Sequence, residues 1–547
     1  MMENKNWPEI VAEKDARIST LEQRQAELET LVKFYEEQFR LSKAKRFGAS
    51  SEKGILPEQL GLFNEAEASA DPHAPEPELE EITYKRRKRA GKREDDLSQL
   101  PVEIVEHKLP EGGRACPECS NEMHEMGRYL ARRELVVVPA TVKVVEHWSA
   151  VLSCRNCEKH GISVPVVKSP VPEPVIKGSL ASPSSVAHVM TQKYVMHAPL
   201  YRQEQDWGRQ GVSLSRQTMA NWVIRCSEDW LRPLYGRMRA VLLSHETLHA
   251  DETSIQVLKE PGRAPTTKSY MWLYRTSGDT ARHVVLFEYQ PTRSGGHPKR
   301  FLSGFKGLLH SDGYAVYHSL HAGVTVIGCW VHVRRKFTDA LKIVPAKERP
   351  GSAAQEAVER IGKLFWLEGQ WEKLKPEERH KRRLEESKPL AEAFFGWLET
   401  LLFMPKSAMG KAAEYALGQR EWLMNVYMDG RAELSNNRVE NAVRPFALGR
   451  RNWLFCDTVK GAEASAIVYS IIETAKANGL KPFEYLEFLF ESMPNATMGH
   501  LDALLPWGED VPEKCRAPVK KEDAPNAEKE RVGNDDRLCP RVFGRNA

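Results

Sequence analysis

The chain has 547 residues, 79 Lys and Arg against 75 Asp and Glu, a formal net charge of +4 and 41% hydrophobic content, a length that sets a soft expectation of roughly three or four domains. A balance so close to neutral does not itself announce a nucleic-acid binder, so the distribution of charge has to be read instead. No run of 18 apolar residues occurs and Met1 to Lys5 open no apolar stretch, which argues against a transmembrane helix or a secretory signal, and nine cysteines in so long a chain argue against a disulfide scaffold.

Residues 9 to 45 read as one helix with a heptad pattern. With Val11 at position a, the a positions are Val11, Ile18, Gln25, Val32 and Phe39, and the d positions are Lys14, Leu21, Leu28 and Tyr35; seven of the nine are apolar. That predicts a coiled-coil helix over residues 1–45 and self-association, with polar Gln25 able to set register. Residues 46–100 are expected to be a disordered basic linker. A Pro- and Glu-rich stretch from Glu65 to Glu81 leads into a block in which Lys85, Arg86, Arg87, Lys88, Arg89, Lys92 and Arg93 are basic. Blocks of this kind follow phosphate backbones without reading sequence.

Residues 101–176 carry a metal signal. Cys116-Pro117-Glu118-Cys119 and Cys154-Arg155-Asn156-Cys157 are two CxxC pairs separated by 34 residues. The runs from Glu134 to Pro139 and from Val142 to Trp148 look like strands between them. Four thiolates, Cys116, Cys119, Cys154 and Cys157, suit one tetrahedral structural Zn²⁺, with no ligand position left for water. His124 and His160 are alternative ligands, and a redox CxxC is the competing reading.

Residues 180–240 read as a helical DNA-binding domain. Pro183 to His197 and Leu200 to Arg209 are periodic segments, Gly211 marks a turn, and Ser215 can cap a helix through Trp222 and Ile224. Helix, turn and capped helix form a helix-turn-helix pattern, or a plain helical hairpin. Its second helix would expose Arg216, Gln217 and Asn221 to phosphates or base edges.

The stretch His249-Ala250-Asp251-Glu252-Thr253 lies among apolar residues and reads as a buried strand with a carboxylate in its middle. Such a charge needs a cation or donors. Asp312 ends a second apolar run that begins at Leu308, and Glu440 falls in the first turn of a helix opened by Asn436-Asn437. Three carboxylates from separate elements suit two divalent cations for phosphoryl chemistry. Adjacent Glu252 should face away from Asp251 on a strand and so be a poorer ligand. His310 and His332 read as structural histidines. Between residues 246 and 344 the pattern is three meandering strands, a helix, a strand, a helix and a strand, the order of a ribonuclease H-like core, with Asp251 on the first strand and Asp312 on the fourth. Residues 345–430 read as a helical insertion, 431–507 as the helix of Glu440 with a C-terminal helical element, and 508–547 as a disordered tail. The predicted fold class is thus multidomain α+β: coiled-coil helix, small zinc-binding β module, helix-turn-helix-like domain, and ribonuclease H-like α/β core with an α-helical insertion. Basic Arg334, Arg335, Lys336, Arg450 and Arg451 are placed to hold DNA near the acids, since a metal site alone cannot position a duplex.

Those motifs together resemble the insertion sequence 66 family of bacterial transposases. The resemblance rests on His249-Ala250-Asp251-Glu252-Thr253, Asp312-Gly313-Tyr314, Asn436-Asn437-Arg438-Val439-Glu440, Cys329-Trp330-Val331-His332, Ala447-Leu448-Gly449-Arg450-Arg451-Asn452-Trp453-Leu454-Phe455, the two CxxC pairs and Leu501-Asp502-Ala503-Leu504-Leu505-Pro506-Trp507. It implies a DDE transposase in which Asp251, Asp312 and Glu440 bind two Mg²⁺ (or Mn²⁺) ions. Its implied partners are double-stranded DNA, as terminal inverted repeats and as target, further copies of the chain, and accessory proteins encoded by the same element. The implied location is the bacterial cytoplasm at the nucleoid, with no membrane partner. A catalytically inactive DNA-binding regulator and a structure-specific nuclease on the same fold are the alternatives.

Overall fold

The computed structural model describes residues 11–22 and isolated positions up to 36, then 142–149, 151–153, and 166–518 apart from 405 and 497. Two compact units divide the chain, residues 1–72 with 149–516 and residues 73–148 with 517–547. In the second unit, residues 142–148 carry no strand pairing, so the strand expected from Val142 to Trp148 does not form there. Alternation supplies a strand-like pattern, but a strand also needs a ladder partner. The basic block 85–93 and all four CxxC cysteines lie outside the described residues.

In the first unit, residues 11–22 are helical and exposed. A short antiparallel pair, β1 (Val151–Ser153) and β2 (Val166–Lys168), brackets the second CxxC, with Ser153 opposite Val166. Four helices follow: α1 (Pro183–Tyr194), α2 (Leu200–Arg209), α3 (Arg216–Cys226) and α4 (Arg232–Leu243). Ser215 caps α3 by accepting from the Thr218 amide at 3.1 Å, as the sequence pattern requires. Arg216, Gln217 and Asn221 are exposed on it. This helical region is not a free-standing domain, because its buried residues belong to the same apolar cluster as the sheet.

The sheet is built on β3 (Thr247–Lys259), which pairs antiparallel with β4 (Lys268–Thr276) and parallel with β6 (Gly307–His310); β4 pairs antiparallel with β5 (Val285–Gln290), and β6 parallel with β7 (Val324–Ile327). The resulting order is β5-β4-β3-β6-β7, with β8 (Cys456–Thr458) joining β3 at its far end. The segment after β5 is α5 (Gly296–Phe301), and β6 stops two residues before Asp312.

Both sheet edges are covered, as exposed edges invite unwanted pairing. Along β5 lies α13 (Val459–Ala477), whose Ser470 and Thr474 hydroxyls accept from the Phe287 and Val285 amides at 2.8 and 3.0 Å. Thirteen of its nineteen residues are buried, which explains a helix apolar almost all round. At the β7 edge, Asn425 donates to the Val326 carbonyl at 2.8 Å and Gly328 to the Trp422 carbonyl at 3.0 Å. Both edge partners there come from the insertion. It consists of α7 (Ala353–Gln370), α8 (Pro376–Arg382), α9 (Lys388–Thr400), α10 (Ala408–Gly418) and α11 (Arg420–Met424), after α6 (Trp330–Ile343). It has its own apolar cluster around Trp330, Phe337, Phe394 and Phe395. The C-terminal helical element consists of two helices, α13 and α14 (Pro482–Ser492), broken before Pro482. The expected tail begins later than residue 508: Cys515 is buried and Leu480 bridges Arg516. A polar composition there concealed a few apolar anchors.

One buried ion pair locks the insertion. Arg383, 1% exposed, donates to Glu368 on α7 and to the Asp429 carbonyl, each at 3.0 Å. Arg383→Ala strands Glu368 and should cost roughly 3 kcal/mol of stability, whereas Arg383→Met with Glu368→Leu should recover most of it. Denaturant midpoints of the three proteins measure this, and equal losses in the single and double variants would count against it.

Candidate active site

Asp251 sits mid-way along β3, Asp312 in the turn after β6, and Glu440 in the first turn of α12 (Asn437–Trp453). Parallel pairing of β3 with β6, with His249 opposite His310, brings the two aspartates together, because each lies two residues beyond its paired histidine. Asp251, Glu252 and Asp312 each present a carboxylate oxygen within 4.8 Å of the others. Glu252 is therefore inside the cluster, contrary to the alternation argument. Strand geometry fixes where Cβ points, but a Glu has enough length to turn back. Tyr317 donates to its Oε2 at 2.7 Å and Arg293 to its Oε1 at 2.8 Å. Arg293 in turn lies over the Tyr314 ring, 3.7 Å from its centroid.

The electrostatics follow from this crowding. Burial, and then the charges of Glu252, Asp312 and Glu440, push the Asp251 carboxyl up to about 8, against the Glu252 amide that donates to its Oδ1 at 2.8 Å. Burial likewise raises Glu252, while Tyr317 and Arg293 hold it down. Hard oxygen donors at this spacing are the donor set that Mg²⁺ or Mn²⁺ takes, and a divalent cation among them would relieve the like-charge repulsion, so the residues fit the group.

Glu440 stands beside this cluster, close enough to raise Asp251. Its carboxylate faces His332 at 3.7 Å and Arg335 at 3.6 Å, rather than forming the helix-surface pair with Arg444 that its spacing allows. Its Oε1 is buried without a hydrogen bond. Cys329, His332 and Glu440 also approach one another within 4.8 Å. The Cys329 thiol, however, accepts the Asn436 amide at 3.2 Å, and burial pushes it up to about 11, so it acts as a protonated packing group.

What holds α12 against β3 is a buried polar cluster that sequence reasoning missed. Asn436, at the helix cap position, makes no capping bond. Its side chain donates to the Ala250 carbonyl at 3.0 Å and meets His249 Nδ1 at 2.9 Å. His249 stacks on His310 at 4.3 Å, and His310 Nε2 accepts the Glu433 amide at 3.1 Å. Although burial works to raise it, Glu433 is held well below the usual carboxylate range by His249, Arg438 and His310. A histidine two residues before the aspartate, on the same strand face, was the available signal. The insertion closes another side: a Cβ on Gly313 would fall 2.6 Å from the Tyr415 hydroxyl, so a larger residue after Asp312 would have to push Tyr415 aside.

Of the expected DNA-facing residues, Arg334, Arg335 and Lys336 are exposed on α6, next to Glu440, and Arg451 is exposed on α12. Arg450 is turned inward, donating to Thr253 at 3.1 Å and to Ser254 Oγ at 3.2 Å on β3, and so serves to seat α12.

The raised Asp251 has a pH signature. Its proton is held more tightly folded than unfolded, so its contribution to stability is complete below about pH 4 and is lost as pH rises through about 8. Without divalent metal, Asp251→Asn should therefore unfold at a higher temperature than the parent, by a margin that grows between those limits and then levels off. Thermal melts in chelator across pH 4 to 9 test this; a margin independent of pH would exclude a strained carboxylate.

Comparison with known proteins follows this geometry. Residues 178–464 match the model "Transposase IS66 family", 470–507 the IS66 C-terminal element, 114–158 the zinc-finger binding domain of transposase IS66, and 35–105 a model described as "Transposase C of IS166 homeodomain". The chain is similar to the uncharacterized protein y4jD of Sinorhizobium fredii, with 31% identity over 410 residues, 72% of this chain and 78% of that one. It is also similar to the uncharacterized protein y4hP of the same organism, with 31% identity over 389 residues, 68% and 69% of the two chains. With family matches running from the zinc finger to the C-terminal element over this acidic site, the chain belongs to the IS66 family of transposases.

Proposed function

We propose that the chain is a DDE transposase that binds the ends of its element and carries out Mg²⁺-dependent strand cleavage and strand transfer on a ribonuclease H-like core. What supports this is the cluster of Asp251, Glu252 and Asp312, with Glu440 of α12 beside it and close enough for its charge to raise Asp251. The sheet order β5-β4-β3-β6-β7, with a parallel half after an antiparallel half, supports the ribonuclease H-like reading. Asp251 and Asp312, with Glu440 swung from His332 and Arg335, would hold two Mg²⁺ (or Mn²⁺) ions. Bound there, the ions would activate water or a DNA 3′-hydroxyl and steady the departing 3′-oxygen. The chain's own part is to position. Arg293 and Tyr317 restrain Glu252 inside the cluster, Asn436 holds α12 to β3, and Arg334, Arg335 and Lys336 would meet the phosphates flanking the reacting bond. Terminal repeats would be gripped by Arg216, Gln217 and Asn221 on α3 and by the basic block Lys85 to Arg93. Target DNA, further copies of the chain through the heptad helix, and accessory proteins of the same element complete the proposed assembly at the nucleoid. No helix of the described residues is long and apolar enough to cross a membrane.

Asp251→Ala, Asp312→Ala and Glu440→Gln should each abolish cleavage and joining while sparing binding to the element's ends. Affinity comes mainly from basic groups that neutralise phosphates, so removing an acid leaves binding intact or slightly tighter. The three losses should not add, because the acids act as one unit. Gel shifts and cleavage assays on one end-containing duplex decide it. Normal cutting by Glu440→Gln would move the third acid elsewhere, with Glu252 now the nearest candidate.

The zinc finger of the family match should hold one Zn²⁺ through Cys116, Cys119, Cys154 and Cys157. Elemental analysis of the purified chain and of Cys154→Ser measures this, and an unchanged zinc content in the variant would overturn the assignment.

A further inference from the structure

At the end of α12 the chain adopts a conformation that side chains rarely take. Leu454 has φ 66° and ψ −53°, and the Phe455 amide donates to the Trp453 carbonyl at 2.8 Å. That is a γ-turn with positive φ, rare and strained. Glycine would occupy it freely, yet the position holds a leucine. The strain serves no burial: Leu454 is 61% exposed and Phe455 42%. A strained backbone that holds two apolar side chains out into water asks for a ligand.

The neighbouring residues indicate which one. Glu440, Arg444 and Arg451 are offset by four and eleven residues, which places them within a stripe about 40° wide on the helix, and Leu454 follows at the helix end. Arg444 and Arg451 are exposed along it, while Arg450 is taken up by Thr253 and Ser254 of β3. Between Asn437 and Cys456 there are four arginines and no acid besides Glu440. An acid and two exposed guanidiniums along one helix face, with an apolar tip at the helix end, match a polyanion whose interior is apolar, namely duplex DNA.

We propose that Leu454, backed by Phe455, is a wedge that enters the base stack of the bound duplex and unstacks it on one side of the cleavage point. The proposal rests on the transposase reading. Fourteen residues of helix span about 21 Å, so with a rise of 3.4 Å per base pair the wedge falls roughly six base pairs from the scissile phosphate. Apolar side chains used in this way kink DNA and open a step. Arg444 and Arg451 would hold the phosphates in between and set the register. Leu454 and Phe455 thereby become positioning residues for the reaction, away from the reacting atoms.

The test uses the full chain with duplexes taken from the DNA that flanks its coding frame, carrying 2-aminopurine at successive steps from the mapped cut. The expected result is a rise in fluorescence on binding, centred about six base pairs from the cut. Leu454→Ala and Leu454→Gly should lose that rise and cleave more slowly, while affinity changes by no more than about tenfold. Leu454→Met should restore the rise, which a merely structural role for Leu454 would not require. Leu454→Gly should also melt at a higher temperature than the parent, since glycine relieves the turn. Binding with flat fluorescence at every step, or a rise that survives Leu454→Ala, overturns the wedge while leaving the transposase reading intact. A fall in particle mass for Leu454→Ala by light scattering, with fluorescence unchanged, would overturn it in favour of a contact between copies. Failure of the parent chain to bind any flanking duplex overturns both readings.

Discussion

The site depends on one buried amide. Asn436 would ordinarily cap the helix that follows it, accepting from an amide in the first turn. Here its side chain instead spans from the Ala250 carbonyl to His249, while its own amide donates to the Cys329 thiol. Three elements far apart in sequence thereby meet at one side chain: β3 with Asp251, the start of α6 with His332 and Arg335, and α12 with Glu440. A buried amide left with half of its bonds would cost more than it contributes, so the arrangement is satisfied as a whole or not at all. That all-or-none character lets a helix nearly two hundred residues downstream of Asp251 bring its acid to the same place.

Around that junction the fold resolves a conflict between solubility of the sheet and access to its acids. The carboxylates need the end of β6 and the face of β3 open to a substrate, while the sheet edges need covering. The covering is delegated to segments that carry no acid of the site. The small hydroxyls of α13 pair β5, and the insertion pairs β7 and packs Tyr415 against Gly313. The insertion is therefore at once an edge cap and a wall of the catalytic cleft, and its buried Arg383 and Glu368 keep that wall rigid.

Charge is divided in a similar way. The cleft concentrates negative charge until Asp251 resists ionisation, while exposed Arg335 of α6 faces Glu440 beside it. A polyanion would be drawn to the rim and repelled from the centre unless cations mediate. Such a division of charge would suit the metal-dependent reaction proposed above.

Much of this was legible from the chain alone. Apolar runs with an acid at their centre or end marked β3 and β6, Ser215 marked its cap, and Asn436-Asn437 before a periodic stretch marked α12, because strands, caps and helices are specified by neighbours within a few residues. The family motifs singled out Asp251, Asp312 and Glu440 as the acids to follow. What local pattern could not reach was everything that depends on approach through space. Glu252 joins the acidic cluster because its side chain is long enough to turn back, and Arg450 faces inward because β3 lies beneath it. Asn436 abandons its cap because His249 and Ala250 offer better partners. Val142 to Trp148 has the alternation of a strand and no ladder. Leu454 looks like an ordinary helix-end residue until its backbone is seen in a γ-turn. Spacing along the chain determines which face of an element a residue occupies; only the packing of elements decides what that face meets, since burial and hydrogen-bond satisfaction are settled by partners distant in sequence.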